Sequence, residues 1–133
     1  MLNALIDAHG GRYVETKFVN LSNHPSSNWD AAQRQAAEQY GEIVDVPFPA
    51  VPAGEDEAYI RNLRDELVQK VMQYQPGAVL CQGEFTLAYS VIRTLKARGV
   101  RVLAACSERN VVTHGNTKQV VFQFERFREY MDN

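Results

Sequence analysis

Three polar segments of the chain carry side chains suited to chemistry, and each directly follows an apolar run. They are Ser22–Asn28, Gln82–Thr86 and Ser107–Asn110. The first offers hydroxyls, amides and an imidazole, the second a glycine and a carboxylate, and the third a serine and an arginine. Such groups can hold a phosphate, form hydrogen bonds with a nucleobase, or transfer a proton.

The first segment contains His24 followed by Pro25, and a proline favours an extended backbone at the residue before it. Imidazole is the side chain best suited to general acid or base catalysis near neutral pH. A predicted helix follows, and the N–H groups at a helix start attract anions. The same residues are typical of a plain turn and a capped helix, so both interpretations stay open.

The second segment places Gly83 and Glu84 just before a predicted helix. Glycine permits a sharp turn and the close approach of a ligand. Glu84 can cap the helix, accept a hydrogen bond from an adenine, ribose or amine, or act as a general base. We favour the second role, with Phe85 supporting a base by stacking. The segment lacks the glycine–lysine pattern of a P-loop.

The third segment contains Ser107, Glu108 and Arg109, which the strand pattern places in a loop after the fourth strand. Arg109 can hold a phosphate with its planar fork, and Ser107 can donate a hydrogen bond to it. The alternative is a surface ion pair between Glu108 and Arg109, which would have no role in binding.

Several known site types are missing from the sequence. It contains no GxSxG, HExxH or GxGxxG pattern, so the hydrolase, zinc-protease and dinucleotide-binding classes lose support. Cys81 and Cys106 are isolated within apolar runs, which indicates reduced core thiols rather than a zinc site or a disulfide framework. We therefore expect neither a metal nor a cofactor.

The elements that must position these segments alternate along the chain. Apolar runs predict four strands with helices between them, followed by a β-hairpin. The predicted strands are 17–21, 42–47, 78–81 and 100–106, the helices are 29–40, 55–74 and 85–98, and the hairpin joins 111–113 to 119–124. Residues 127–130 fit a short helix or an extended arm, and residues 1–13 fit a flexible leader, a helix or an edge strand.

This alternation predicts an α/β fold: a single Rossmann-like domain over residues 1–133, with a mostly parallel sheet, helices on both faces and a C-terminal β-hairpin. In open α/β sheets, ligands bind outside the carboxyl ends of the strands. All three polar segments follow strands and would meet at that edge. A strand order of 2-1-3-4 would place the first two segments beside the point where the connections diverge.

Composition and charge narrow the class of partner. The 133 residues are 45% hydrophobic and 23% charged, as in an ordinary folded protein. The net charge of −2 argues against binding long nucleic acid by bulk positive charge. Residues 1–67 carry 5 basic and 11 acidic side chains (−6) and residues 68–133 carry 9 and 5 (+4), so an anion is expected on the second half. No apolar run is long enough to span a membrane and the start does not resemble a signal peptide, so we expect a soluble cytoplasmic protein without membrane contact.

Two stretches resemble a known family. Asn20-Leu21-Ser22-Asn23-His24-Pro25 is similar to the loop after the first strand in small stand-alone CRISPR-associated Rossmann-fold (CARF) domains. Gln82-Gly83-Glu84-Phe85-Thr86 lies where that family has its glycine- and threonine-containing loop. The resemblance implies a homodimer that binds a cyclic oligoadenylate second messenger in type III CRISPR antiviral signalling, and that cleaves it as a metal-independent ring nuclease in some members.

Under this hypothesis His24 takes up a proton and Glu84 is the second catalytic candidate. The expected ligand-binding residues are Asn20, Ser22, Asn23, Ser26, Gln82, Gly83, Phe85, Thr86, Ser107 and Arg109. Phosphates would meet helix N-termini, Ser22 and Arg109. A homodimer is expected because two identical surfaces are well suited to a ligand with rotational symmetry.

Two other classes stay open. One is an α/β enzyme acting on a nucleotide or nucleoside, with Glu84 as nucleophile or base. The other is a non-catalytic interaction module whose hairpin and aromatic tail only build a dimer. That tail consists of Phe122, Phe124, Phe127 and Tyr130.

Overall fold

The computed structural model describes residues 4–6 and 12–133, which form seven strands, three α-helices and one 3-10 turn. The strands are β1 Ala4–Ile6, β2 Arg12–Val14, β3 Lys17–Ser22, β4 Glu42–Pro47, β5 Pro76–Cys81, β6 Val102–His114 and β7 Thr117–Glu129. The helices are α1 Ala31–Glu38, α2 Glu57–Met72 and α3 Phe85–Ala97, with the 3-10 turn at Ser26–Asn28.

Five strands form the main sheet, in the order β4-β3-β5-β6-β7. The first four run parallel to their neighbours, and β7 pairs antiparallel with β6. This confirms the predicted α/β fold, with its mostly parallel sheet and C-terminal hairpin. It also confirms the strand order 2-1-3-4 for the parallel part. The chain direction therefore brings the ends of β3 and β5 to the same edge of the sheet.

Alternating side chains of the central strands bury two separate cores, one on each sheet face. Val19 and Val79 point to the face covered by α2 and α3, where Leu67, Val71 and Leu87 pack. The other core contains Phe18, Ala78, Leu80 and Leu103, packed against Ala37 of α1 with Trp29, Tyr40 and Phe127. Helices thus cover both faces, as predicted.

β6 and β7 continue far beyond the rest of the sheet. β6 pairs with β5 only at Val102 and Leu103, and from there onward it pairs with β7 alone. We name the outer part, Ser107–His114 paired with Thr117–Phe124, the ribbon. At about 3.3 Å per residue it is some 25 Å long. Gly115, with a φ of 62°, lies in its turn.

The prediction of a loop at Ser107–Asn110 is wrong, because these residues belong to strand β6 and form part of the ribbon. The polar character of this segment indicated a loop. It forms a strand because β7 supplies a partner for every residue, and because a ribbon exposed on both faces needs no apolar pattern.

The C-terminal residues also differ from expectation. Phe127 belongs to β7 and packs its ring 5.1 Å from that of Phe18, and Phe124 is only 8% exposed. The Tyr130 hydroxyl donates to the Cys81 carbonyl oxygen at 2.8 Å. The short helix considered for 127–130 is therefore wrong. The segment is extended, as in the other alternative, but it pairs with β6 and packs on the core instead of forming a free arm. Within the aromatic tail, only Phe122 is strongly exposed.

The first residues pair on their own: β1 and β2 form a separate two-stranded antiparallel sheet. Residues 1–3 and 7–11 lie outside the described residues. The flexible leader at 1–13 and the single domain over 1–133 therefore stay predictions.

Both cysteines are unpaired, and burial raises the pKa of Cys81 to about 12. No helix in the described part of the chain is long and apolar enough to cross a membrane.

Candidate functional site

A cleft of about 500 Å³ opens at the carboxyl edge of the sheet, on the side of α1. Four predicted residues line it: Ser22 and His24 after β3, Gln82 after β5, and Ser107 on β6. Since these strands are parallel, residues up to 85 positions apart in sequence meet at one edge. The structure thus brings one or more residues of each predicted polar segment into the same cleft.

A buried polar network supports the first segment from below. The Asn20 side chain, only 1% exposed, donates to the Asp45 carboxylate at 3.0 Å and to the His24 carbonyl oxygen at 2.9 Å. The Ser22 hydroxyl donates to the Asn20 side-chain oxygen at 2.7 Å, and the His24 backbone N–H donates to Ser22 at 3.2 Å. Asn20 and Ser22 therefore hold the loop in shape, and Asn20 does not line the cleft.

The same network fixes one aromatic wall of the cleft. Trp29 donates from its indole N–H to the His24 carbonyl oxygen at 3.2 Å, and its ring meets Phe18 edge-on at 6.1 Å. Ser26 donates its backbone N–H to Asp45 at 3.1 Å, and its carbonyl oxygen accepts from Arg34 at 2.8 Å. The indole is thus held from both ends, by a hydrogen bond and by a core contact.

The His24 imidazole borders the cleft and is exposed. No hydrogen bond to its ring nitrogens forms within the described residues. General-base catalysis normally needs an imidazole oriented by a second group. The catalytic role of His24 stays a prediction, and in that role a bound ligand would have to orient the imidazole. Asn23 is exposed and does not line the cleft.

Glu84 caps α3. Its carboxylate accepts from the backbone N–H of Thr86 at 3.0 Å and of Leu87 at 2.8 Å, and the Thr86 hydroxyl also donates to it. These hydrogen bonds, from Leu87 first, hold the pKa of Glu84 below its usual value of 4.5. Both oxygens are occupied, and neither Glu84 nor Thr86 lines the cleft. Of the three roles considered for Glu84, this geometry is that of a helix cap.

A carboxylate also caps α1. Asp30 accepts from the backbone N–H of Gln33 at 2.8 Å, and both residues line the cleft. The helix starts nearest the site therefore carry negative groups rather than open N–H donors. The expectation that phosphates meet helix N-termini finds no support in this arrangement.

Gly83 and Gln82 have defined structural roles. A Cβ at Gly83 would lie 2.4 Å from the ring of Phe48, which is buried, so glycine is required for packing rather than for ligand approach. The Gln82 side-chain oxygen accepts from the Ala105 N–H at 3.0 Å, which extends the β5–β6 pairing by one bond. Its amide N–H groups are left for a ligand.

The sequence missed the aromatic walls of the cleft, which are Trp29, Phe122 and Phe124. Phe122 and Phe124 are two residues apart on one strand and so share a face, which could have been predicted from the hairpin. The place of Trp29 in the cleft wall could not, because the orientation of its ring depends on a hydrogen bond to the His24 carbonyl oxygen. Arg109 lies on the ribbon, opposite Phe122.

A second cavity, the α3 groove, lies on the other sheet face and has a volume of about 990 Å³. Phe85, Tyr89 and Met131 line it and are strongly exposed, Phe85 at 89%. Phe85 is thus separated from the cleft, contrary to its expected place beside the other ligand-binding residues. Gln82 borders both cavities. Among the described residues, no three His, Cys, Asp or Glu side chains are grouped so as to hold a metal ion.

Comparison with protein-family models places the chain in a family. A family model described as "Uncharacterized protein MJ1673 family" matches residues 16–128, which include all three helices and the main sheet except its last residue, Glu129. Neither the curated proteins nor the solved structures contain a significant match. These comparisons do not link the chain to CARF domains, so that resemblance stays a hypothesis. The chain belongs to the MJ1673 family.

Proposed function

We propose that the protein binds a cyclic oligoadenylate second messenger, with one adenine nucleotide in the cleft of each subunit of a homodimer. The observation that carries this proposal is the fixed Trp29 ring beside hydrogen-bonding side chains at the carboxyl edge of a Rossmann-like sheet. Ligands of such sheets bind at this edge. A cavity of about 500 Å³ is within the range for one small ligand.

Adenine fits the chemistry of the cleft. Aromatic faces such as Trp29 stack on nucleobases and contribute about 1–3 kcal/mol per base. The amide N–H groups of Gln82 and the hydroxyl of Ser107 can then form hydrogen bonds with the base or ribose. The lining contains both donors and acceptors, as needed to read the edge of an adenine.

The phosphates are expected away from the helix starts, because Asp30 and Glu84 place carboxylates there. Arg109 is the one arginine among the predicted site residues, and it lies opposite Phe122 of the cleft wall. Arginine binds phosphate through two parallel hydrogen bonds. The acidic caps thus orient the ligand, with its base near α1 and its phosphates near the ribbon.

Cleavage of the ring is a second part of the proposal. His24 would accept the proton of a ribose 2′-hydroxyl as that oxygen bonds to the neighbouring phosphorus and the bond to the 5′ oxygen breaks, with water protonating the leaving oxygen. The alternative enzyme that uses Glu84 as nucleophile or base is disfavoured, since both Glu84 oxygens accept hydrogen bonds within the α3 cap.

The α3 groove supports the proposed homodimer. Phe85 and Tyr89 expose large apolar surfaces on one side of α3, which is typical of an interaction surface. Arg93 and Asp132 line the same groove, so two identical copies related by a two-fold axis can pair opposite charges across it. This groove also favours the second candidate function, a dimerisation module without a ligand.

A binding screen tests the proposal. Calorimetry of the purified protein with cyclic oligoadenylates of several ring sizes should give saturable binding to at least one, with a stoichiometry of one ring per dimer. The Gln35→Ala variant, at an exposed position of α1 that does not line the cleft, should bind equally well. A stable dimer that binds none of these rings would leave only the dimerisation module.

A further inference from the structure

The ribbon rises from the carboxyl edge beside the cleft and exposes apolar side chains. Phe122 is 67% exposed, and Val111 and Val120 are exposed as well. An isolated two-stranded hairpin is marginally stable in water, and a cross-strand pair stabilises it by only about 0.2–1 kcal/mol. Exposed apolar side chains grouped in this way are typical of an interaction site.

The strand register determines which ribbon face looks toward the cleft. Ser107 lies opposite Phe124, and both line the cleft together with Phe122. Directly opposite residues share a face, and so do residues two apart on a strand. Arg109, opposite Phe122, therefore belongs to this face. We name it the inner face.

The two faces of the ribbon differ in chemistry. The inner face presents an arginine and a phenylalanine as a directly opposed pair, followed by Val111 and Val120. The outer face presents Glu108 opposite Gln123, Asn110 opposite Val121 and Val112 opposite Gln119, and these pairs include exposed valines but neither an aromatic ring nor a cation. An exposed aromatic ring beside a cation is the combination that proteins use for single-stranded nucleic acid. No ion pair or hydrogen bond occupies the Arg109 side chain within the described residues.

We propose that the inner face of the ribbon binds a second nucleotide of the ligand. Phe122 stacks on its base, and Arg109 contacts the phosphate that joins it to the nucleotide in the cleft. The cleft, about 500 Å³ in volume, suits one small ligand, and the inner face continues from its wall at Phe122 along the same two strands. The ligand class is therefore an oligonucleotide rather than a mononucleotide. This inference rests on the proposed nucleotide site.

The test compares ligands of different length on matched variants. AMP, linear diadenylate and cyclic tetra-adenylate are titrated against the wild type and against Phe122→Ala, Arg109→Ala and Val121→Ala. Phe122→Ala and Arg109→Ala should weaken binding of the two longer ligands about tenfold more than they weaken binding of AMP, because only the longer ligands place a second nucleotide on the inner face. Arg109→Ala should also reduce the salt dependence of their binding. Val121→Ala, on the outer face, should bind like the wild type.

Other outcomes overturn the inference in distinct ways. Equal losses for AMP and the longer ligands would place Phe122 within the site of the first nucleotide. Unchanged binding with an altered oligomeric state would make the ribbon a contact between proteins. A wild type that binds no adenylate would refute the proposed function as well. If Phe122→Ala fails to fold, Phe122→Leu keeps an apolar side chain without the ring and answers the same question.

Discussion

The cleft and the α3 groove flank Gln82 at the same sheet edge, yet they are built in different ways. The cleft has walls fixed by hydrogen bonds, from Asn20 at its base to Trp29 at its side. The groove is larger and is lined by exposed side chains such as Phe85 and Tyr89. Pre-organised polar walls suit a small ligand, whereas an exposed apolar surface suits a protein partner. This difference underlies our proposal that the cleft binds a ligand and that the groove is a surface for self-association.

The largest effect is expected from breaking the network under the cleft. Asn20→Ala removes the amide that donates to Asp45 and to the His24 carbonyl oxygen, together with the oxygen that accepts from the Ser22 hydroxyl. The variant should lower the free energy of unfolding by about 1–3 kcal/mol. Adenylate binding should be lost at the same time. Denaturant unfolding and calorimetry measure the two effects. Normal stability and normal binding would show that the network does not support the cleft.

The fold was predictable because it depends on local patterns. Strand and helix periods, the proline before Gly77 and the short connections all indicate an α/β sheet. The site was predictable only in its position. The role of Asn20 depends on Asp45, which is 25 residues away, and the ribbon depends on pairing with β7. Such long-range partners cannot be predicted from a single sequence. For this reason the polar residues 107–110 were predicted as a loop.

A second large effect is expected from removing the aromatic wall. Trp29→Ala should weaken adenylate binding about ten- to hundredfold, because one stacking interaction is lost. Tyr40→Leu is the matched control, since Tyr40 contacts Phe18 in the same aromatic cluster but does not line the cleft. Calorimetry on both variants makes the comparison. If the two variants weaken binding equally, Trp29 acts through the core and not through the ligand.

A change in the α3 groove should weaken the dimer and leave nucleotide binding intact. Phe85→Ser should raise the dissociation constant of the dimer about tenfold or more, since exposed aromatic anchors dominate such interfaces. The melting temperature of the monomer and AMP affinity should stay unchanged, because Phe85 contributes little to the core. Sedimentation velocity measures the dimer. Val121→Ser, at an exposed ribbon position outside the groove, is the control, and equal loss of the dimer in both variants would contradict this assignment.

The smallest effect is expected at Glu84. Glu84→Gln should lower the melting temperature by a few degrees and leave AMP affinity within about twofold, because the carboxylate caps α3. The folded-state pKa of Glu84 lies below its usual value of 4.5, so its stabilising effect is present above that pH and is lost as the pH falls below it. Melting curves of both proteins should therefore converge in acid. Weakened binding at an unchanged melting temperature would instead support a ligand contact.

The central claim is that an adenine stacks on Trp29 in the cleft. Trp29 is the single tryptophan of the chain, so its fluorescence reports on this position alone. Titration of the wild type with cyclic tetra-adenylate should change the emission in a saturable way, with the same dissociation constant that calorimetry gives. Binding in the calorimeter without any change in the fluorescence of Trp29 would place the ligand elsewhere and contradict the account.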